Sequence, residues 1–447
     1  MGGVWSLAPD AEEHAEPWCL PQDELGGWYN DNIQRGTDAY ARDCRSAVNG
    51  LVTFVQLVCI PEILDFSVGK IVKGGSFGKG TMVKDLSDVD LVAFVNKPYL
   101  QPIAVIGKEK YRETLAGIIS DVESLLDGSP SIQIIRSNRF MLTFKIRVGS
   151  RWIDFDLLPT TENILKCQMP FRKLFLSMLE VGNGTRQLYS ASFVHHQVRF
   201  VKGQPGHVKE LIRLVKYWAS RFLPKYLQKS YPLELITIYR WEKAGKPSYL
   251  DKAQGLRSVL EVLTNLDELR VYWNYMPSVD DQLNETIIRK LDMKRPIVLD
   301  PANPTNNVCY HLWDYIQVLA DAVERTLQTN LMENVTVWPC RPCRKYSVHT
   351  RRHDATDDGR RDGRRDGLRD GRRDGRRDGL RDGRRDGRRD GRRDRRRDGR
   401  RYGRRDGRRD GRRDGGRDGR RDGRRDGRRD GQRDGRWATR RTTRRTT

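Results

Sequence analysis

Asp88 and Asp90 stand two residues apart near the end of the stretch KGGSFGKGTMVKDLSDVDLV, residues 73–92. On a strand, positions i and i+2 project to one face, so the two carboxylates share a site. Side by side they repel and lose hydration at a cost unless a cation lies between them. Hard Mg²⁺ takes such oxygen ligands while keeping waters and substrate phosphates. Upstream, Gly75 and Ser76 offer a backbone N–H and a hydroxyl to those phosphates, and Lys79 offers a countercharge. A glycine turn or an Asp-x-Asp alone is common on protein surfaces. The two together, with apolar Val89 and Leu91 around the acids, are far more specific. A further carboxylate comes from RWIDFDLLP, residues 151–159, where Asp154 and Asp156 again share a face. Periodicity does not choose between them. Three carboxylates can hold two metal ions roughly 3.5–4 Å apart and clamp an in-line phosphoryl displacement.

These groups need a rigid support, and the hydrophobic pattern supplies one. Spacing from Glu24 to Val58 predicts a helix, Ile71–Val72 lead into the glycine loop, and Val89–Val95 read as a buried strand. Tyr111–Leu126 predicts a second helix, closed by Asp127-Gly128-Ser129-Pro130. Strands are expected at Ile132–Ile135, Phe140–Val148 and Trp152–Leu158, with Gly149-Ser150 as a turn. Beyond Pro159 the pattern turns helical, with expected helices at Val208–Arg221, Leu233–Trp241, Gly255–Leu266 and Trp313–Leu331. The fold class is therefore α+β and bilobal. A mixed-sheet catalytic lobe (21–160) follows a flexible start (1–20) and precedes a mainly helical lobe (161–344) and a tail (345–447).

The formal charge of +24 over 447 residues suggests a nucleic-acid partner, but residues 351–447 alone hold 42 Arg and 21 Asp with no Lys or Glu. That segment carries +21, leaving +3 for residues 1–350. Its Arg-Arg-Asp-Gly repeats penalise a helix at every glycine and offer nothing to bury, so disorder is expected. Alternating Asp cancels half of the Arg charge, which suits a simple-repeat expansion better than a dedicated RNA tether. Seven scattered cysteines point to a reducing compartment rather than a disulfide framework, and a cytoplasmic or nuclear location is expected. No apolar run is long enough to span a bilayer. Gly2 and Ser6 fit only the loose pattern for myristoylation. Cys340-Arg-Pro-Cys343 lacks two further ligands at zinc spacing, for which Cys309 and His311 are the nearest candidates.

The glycine loop and Asp-x-Asp resemble the signature of polymerase-β-like nucleotidyltransferases. The blocks KGGSFGKGT…SDVDLV, FDLLP, LIRLVKYW, LELITIYRWE, AQGLRSVLEVL and RPIVLDPANPTNN occur in the order seen in 2′-5′-oligoadenylate synthetases. The resemblance covers about residues 20–335. It implies that Asp88, Asp90 and Asp156 are the catalytic triad and ligate two Mg²⁺ ions. It further implies that Gly75, Ser76, Lys79, Arg213, Lys216 and Ser230 meet ATP, the polymerised substrate. Family members are activated by double-stranded RNA, for which Lys202 and Arg199 are the candidate contacts here, and act in antiviral innate immunity. Ser230 replaces a glutamine of vertebrate enzymes, and Phe77 replaces a second small residue of the loop. Val198 and Gly206 stand where vertebrate members carry Arg and Thr. No Cys-Phe-Lys oligomerisation motif is present, so oligomeric state is left open. The alternatives are a cyclic dinucleotide or other product from the same lobe, and a silent RNA-binding relative.

Overall fold

In the computed structural model the described residues are 16–339, without 61, 98–100 and 165–168. Gly2, Ser6, the Cys340–Cys343 pair and the repeats lie outside them. The chain divides into two units at Thr350/Arg351, where the composition changes, and all that follows belongs to the first.

Five strands form a mixed sheet in the order β1-β2-β5-β4-β3. They are β1 (Ser67–Lys73), β2 (Val89–Asn96), β3 (Ile132–Ser137), β4 (Leu142–Val148) and β5 (Arg151–Thr160). β2 and β5 are parallel, while β1 pairs antiparallel with β2 and β4 with β5. β2 is buried along nearly its whole length, as expected of a continuous Val/Leu/Ala/Phe run. β5 alternates instead: Ile153, Phe155 and Leu157 enter the core, so Trp152, Asp154 and Asp156 project from the opposite face.

The helices in chain order are α1 (Leu25–Tyr29), α2 (Arg35–Val58), α3 (Gly75–Lys79), α4 (Ile103–Ile106), α5 (Lys108–Asp127), α6 (Phe171–Leu179) and α7 (Asn183–Tyr189). They continue with α8 (Val194–Lys202), α9 (Gly206–Phe222), α10 (Ser230–Lys243), α11 (Lys252–Thr264), α12 (Asp281–Lys290) and α13 (Ile316–Leu327). A two-stranded parallel ribbon, β6 (Arg270–Val271) with β7 (Ile297–Val298), sits between the later helices.

One hydrophobic cluster gathers α2, α5, α6 and the inner face of the sheet, together with Met276, Val279, Leu283 and Ile287. The other gathers α9, α10, α11 and α13, and takes in Trp18, Leu25, Tyr29 and Ile33 from the chain start. Trp218 anchors the second cluster, fully buried, and its indole N–H donates to Thr326 Oγ1 at 2.7 Å. A buried ring of this kind removes 150–250 Å² from water and needs that partner for its polar tip.

Several expectations shift. The loop read after Lys73 is a short helix at Gly75–Lys79, and the helix from Glu24 is interrupted by a π-helical turn at Asn30–Gln34. The last helix begins as a 3-10 turn at Tyr310–Tyr315 and is α-helical only from Ile316 to Leu327. α6, α8 and α12 were not read from the pattern. α8 is rich in β-branched and aromatic residues, which favour strands, and becomes helical by packing Val194, Phe200 and Val201. α12 is mostly polar but carries an N-cap: the Asp280 side chain accepts from Leu283 N–H.

Candidate active site

The parallel register sets Asp90 directly beside Asp156, and Asp88 stands just before β2 begins. Asp156 Oδ1 accepts a 2.7 Å hydrogen bond from Thr143 on β4, while Asp154 is paired with Lys145 at 3.2 Å. Of the two candidates in β5, Asp154 thus has its own countercharge, and Asp156 lies against the acidic pair. Burial pushes Asp90 up to about 6, and the neighbouring Asp156 charge adds to the shift. Asp88 is raised too, first by burial and then by Asp156 and Asp154. Among the described residues no three His, Cys, Asp or Glu side chains make a ready metal cage. An all-oxygen set of carboxylates that resist ionising together fits Mg²⁺, which commonly takes one or two carboxylates and draws its other ligands from water and phosphate.

Because Asp90 holds its proton to about pH 6, binding a divalent cation must displace it. Calorimetric titration of Mg²⁺ is expected to release close to one proton per site near pH 5, about half a proton at pH 6 and few above pH 7.5. Apparent affinity should fall as pH drops through 6, and proton release that does not vary with pH would contradict this.

Gly75 explains the close approach of the loop. Its φ is +44°, and a Cβ there would lie 1.6 Å from Asp90 Oδ2. The Gly74 N–H also donates to the Asp90 carbonyl at 2.8 Å, stitching the loop to β2. Gly75→Ala is expected to lower any reaction that uses these carboxylates roughly 10²-fold or more, since displacing a reacting group by about 1 Å costs that much; reaction rate and melting temperature measured together check this. At Gly78 a Cβ would meet the Lys73 carbonyl oxygen at 1.9 Å, so this turn of α3 cannot accept a side chain without backbone movement. Phe77, the unusual loop residue, packs against the sheet-side cluster, with the Lys73 ammonium 5.8 Å from its ring.

Behind the loop lies a buried ionic network. Glu234 from α10 is fully buried, and Lys79 and Lys216 are 7% and 5% exposed. Lys79 Nζ lies 3.0 Å from Glu234 Oε2, and Lys216 Nζ 3.7 Å from Oε1. Thr81 donates to Glu234 Oε1 at 2.6 Å. Lys216 also donates to Ser76 Oγ at 2.6 Å and to the Thr81 carbonyl at 2.9 Å. Burial lowers Lys216 to about 8, with Glu234 opposing that shift. Lys79 rests 3.8 Å from the Tyr231 ring centroid, and Tyr231 donates to the buried Asp300 at 2.8 Å.

A cleft of about 980 Å³ is lined by Gly75, Ser76, Lys79, Asp88, Asp90, Lys216 and Ser230, whereas Asp156 and Glu234 are not among its lining residues. Asp154 also lines it, as do Lys225 and Lys229 on the helical side. Arg213 takes a different place. Its guanidinium donates to the Gly80 carbonyl and to Gln34 Oε1, each at 2.9 Å, bracing the loop from behind. Arg199 and Lys202 are exposed on α8, while Val198 turns into the cleft. Sequence reasoning missed Glu234, Tyr231, Thr143 and Asp300. Glu234 was visible as a lone acid inside the apolar run LELITIY, and Asp300 within RPIVLDPANPTNN. Among the described residues Cys19, Cys44, Cys59 and Cys309 are free thiols; none joins a metal cluster. No described helix is long and apolar enough to cross a membrane.

A glycine turn after one strand, paired acids at the start of the next, and a third acid on the parallel strand beside it are the architecture of a nucleotidyltransferase domain. Residues 60–148 match the family model described as "Nucleotidyltransferase domain". Residues 169–344 match "2'-5'-oligoadenylate synthetase 1, domain 2, C-terminus". The chain is 31% identical over 294 residues to 2'-5'-oligoadenylate synthase 1A of Rattus norvegicus, covering 60% of this chain and 80% of the relative. For 2'-5'-oligoadenylate synthase 1A of Mus musculus the values are 30% over 297 residues, 60% and 77%. For the inactive 2'-5'-oligoadenylate synthase 1B of Rattus norvegicus they are 30% over 253 residues, 54% and 67%. The chain belongs to the 2'-5'-oligoadenylate synthase family.

Proposed function

We propose that this protein is an active adenylyltransferase that joins ATP into 2′-5′-linked oligoadenylates, releasing pyrophosphate, with double-stranded RNA as activator. The observation that carries the reading is the register of β2 and β5, which sets Asp90 against Asp156 beside a glycine turn with no room for a side chain. Asp88, Asp90 and Asp156 would hold two Mg²⁺ ions, which when bound would neutralise the triphosphate and acidify the attacking hydroxyl.

The chain's own residues have distinct tasks. Ser76 accepts from Lys216, which leaves its hydroxyl hydrogen free to donate to a donor-nucleotide phosphate. Lys79 and Lys216 bring positive charge to the same end of the cleft, where Glu234 pairs with both, and its carboxylate favours the charged form of the buried Lys216. Thr143 fixes one oxygen of Asp156, leaving the other to take a proton from the acceptor hydroxyl. Ser230, at the N-terminus of α10 and on the cleft wall, would meet the nucleotide. Arg213 braces the loop through the Gly80 carbonyl and would add positive charge behind the nucleotide. Lys202 and Arg199 would meet RNA phosphates and 2′-hydroxyls through shape rather than sequence.

Incubating the protein with ATP and Mg²⁺, with and without double-stranded RNA, tests the reading. Oligomers resistant to a nuclease specific for 3′-5′ links are expected, with more product when RNA is present. A nuclease-sensitive or cyclic product would overturn the linkage. Similarity to an inactive relative favours a second reading, a silent RNA-binding protein. Retention of all three carboxylates supports the active one, and RNA binding without any product would reverse that choice.

A further inference from the structure

The sheet face that carries Asp156 continues beyond the catalytic groups, and its character changes sharply. Along β5 the outward residues run Asp156, Asp154, Trp152, and the β4 partners opposite them are Thr143, Lys145 and Arg147. The contacts follow that grid: Thr143 bonds Asp156 at 2.7 Å, Lys145 pairs with Asp154 at 3.2 Å, and the Arg147 guanidinium lies 5.9 Å from the Trp152 ring centroid. β3 adds Arg136 opposite Thr143 and Gln133 opposite Lys145. Trp152 is 39% exposed, and Arg136 and Arg147 are exposed as well. Four residues at about 3.3 Å each separate Asp156 from Trp152, so the ring sits roughly 13 Å from the reaction centre.

We propose that this face is the track for the acceptor strand: a short single-stranded oligonucleotide whose base stacks on Trp152 and whose phosphates meet Arg147, Lys145 and Arg136. The proposal rests on the nucleotidyltransferase reading above and names the second substrate of that site. The donor triphosphate has its own cationic end at Lys79 and Lys216, on the β1–β2 side. A growing product needs its terminal hydroxyl at the carboxylates and its earlier nucleotides somewhere outward. An exposed ring beside Arg147, with Lys145 and then Arg136 nearer Asp156 along the ladder, provides sequence-tolerant stacking and charge neutralisation for such a chain. A duplex keeps its bases stacked internally and offers no free ring face to Trp152, which favours a single strand.

The test uses the full chain and synthetic triadenylate, 2′-5′-linked in one arm and 3′-5′-linked in another, with a short RNA duplex as a third arm. Arg147→Glu is expected to weaken triadenylate binding with a loss that shrinks as salt rises, as for a phosphate contact, and Trp152→Ala to weaken it roughly 5- to 100-fold, the worth of about one base stack. Trp152→Phe should restore most of it. Trp313→Ala, at a ring 55% exposed elsewhere, should change nothing, and duplex binding should be unaltered throughout. The basic tail is common to every variant, so the ratios isolate this face. In an ATP assay Trp152→Ala should shift product toward dimers by slowing the later additions most. Equal triadenylate affinity of wild type and Trp152→Ala, or an equal loss of duplex binding, would overturn the proposal. If wild type makes no oligomer, the activity reading fails while the binding ratios still judge the track.

Discussion

Asp90→Asn is expected to abolish nucleotidyl transfer, by about 10³-fold or more, while leaving the metal-free protein at least as stable as wild type at pH 7.5. The first effect follows from the metal-ligand role proposed for Asp90, a charge worth several kcal/mol in the transition state. The second follows from the raised carboxyl. Burial and the charge of Asp156 push Asp90 up to about 6, above the ~3.9 of an unfolded aspartate. Between those values the folded chain holds the proton more tightly than the unfolded one. The stability this gives is complete below the unfolded value and is lost as pH rises through 6. Asparagine is neutral at every pH and escapes that loss. Thermal unfolding in chelator should therefore show the variant equal to wild type near pH 4 and equal or higher at pH 7.5. A variant with transfer within tenfold of wild type would remove Asp90 from the metal site.

Glu234→Gln is expected to destabilise the fold by about 3–5 kcal/mol at pH 7, the cost of leaving buried charges without their partner. Glu234 is fully buried between Lys79 and Lys216, and glutamine keeps its shape while removing its charge. The deficit should shrink as pH rises. Burial already lowers Lys216 to about 8, below the ~10.4 of an unfolded lysine. Over that interval the unfolded chain binds more protons, so folding gains stability with pH. Losing the carboxylate lowers the lysine further and starts the gain earlier. Denaturant melts at pH 7 and pH 9.5 measure both parts. A loss below about 1 kcal/mol at pH 7, or one that does not change with pH, would mean the lysines are not held by Glu234.

The loop and the acids were legible because their signals are local. Asp88 and Asp90 fall at i and i+2 where an unmistakable apolar run begins, one just before β2 and one inside it, and the glycines beside Ser76 mark a turn whatever the rest of the chain does. The choice of Asp156 over Asp154 needed the family resemblance, since both lie on one face of β5. The structure adds a reason: Lys145 opposite Asp154 supplies that acid with its own partner, and Thr143 opposite Asp156 supplies only a hydrogen bond. Arg213 and Lys216, three apart on one helix, read as equivalent cationic groups. Only packing separates them, because Gly80 and Gln34 claim the guanidinium while Lys216 reaches Ser76.

The α+β pattern, the glycine loop, the acidic pair and the change of composition near residue 350 could all be read from the residues alone. Those features depend on neighbours within a few residues, through strand alternation, turn conformation and local hydrophobicity. Tertiary structure decided what the buried charges do. Glu234 lies 155 residues from Lys79 and 18 from Lys216, and no local rule pairs them. The fold brings them together because charges excluded from water must find one another. Trp152 likewise became a candidate stacking platform only once the ladder set it beside Arg147 and in line with Asp156.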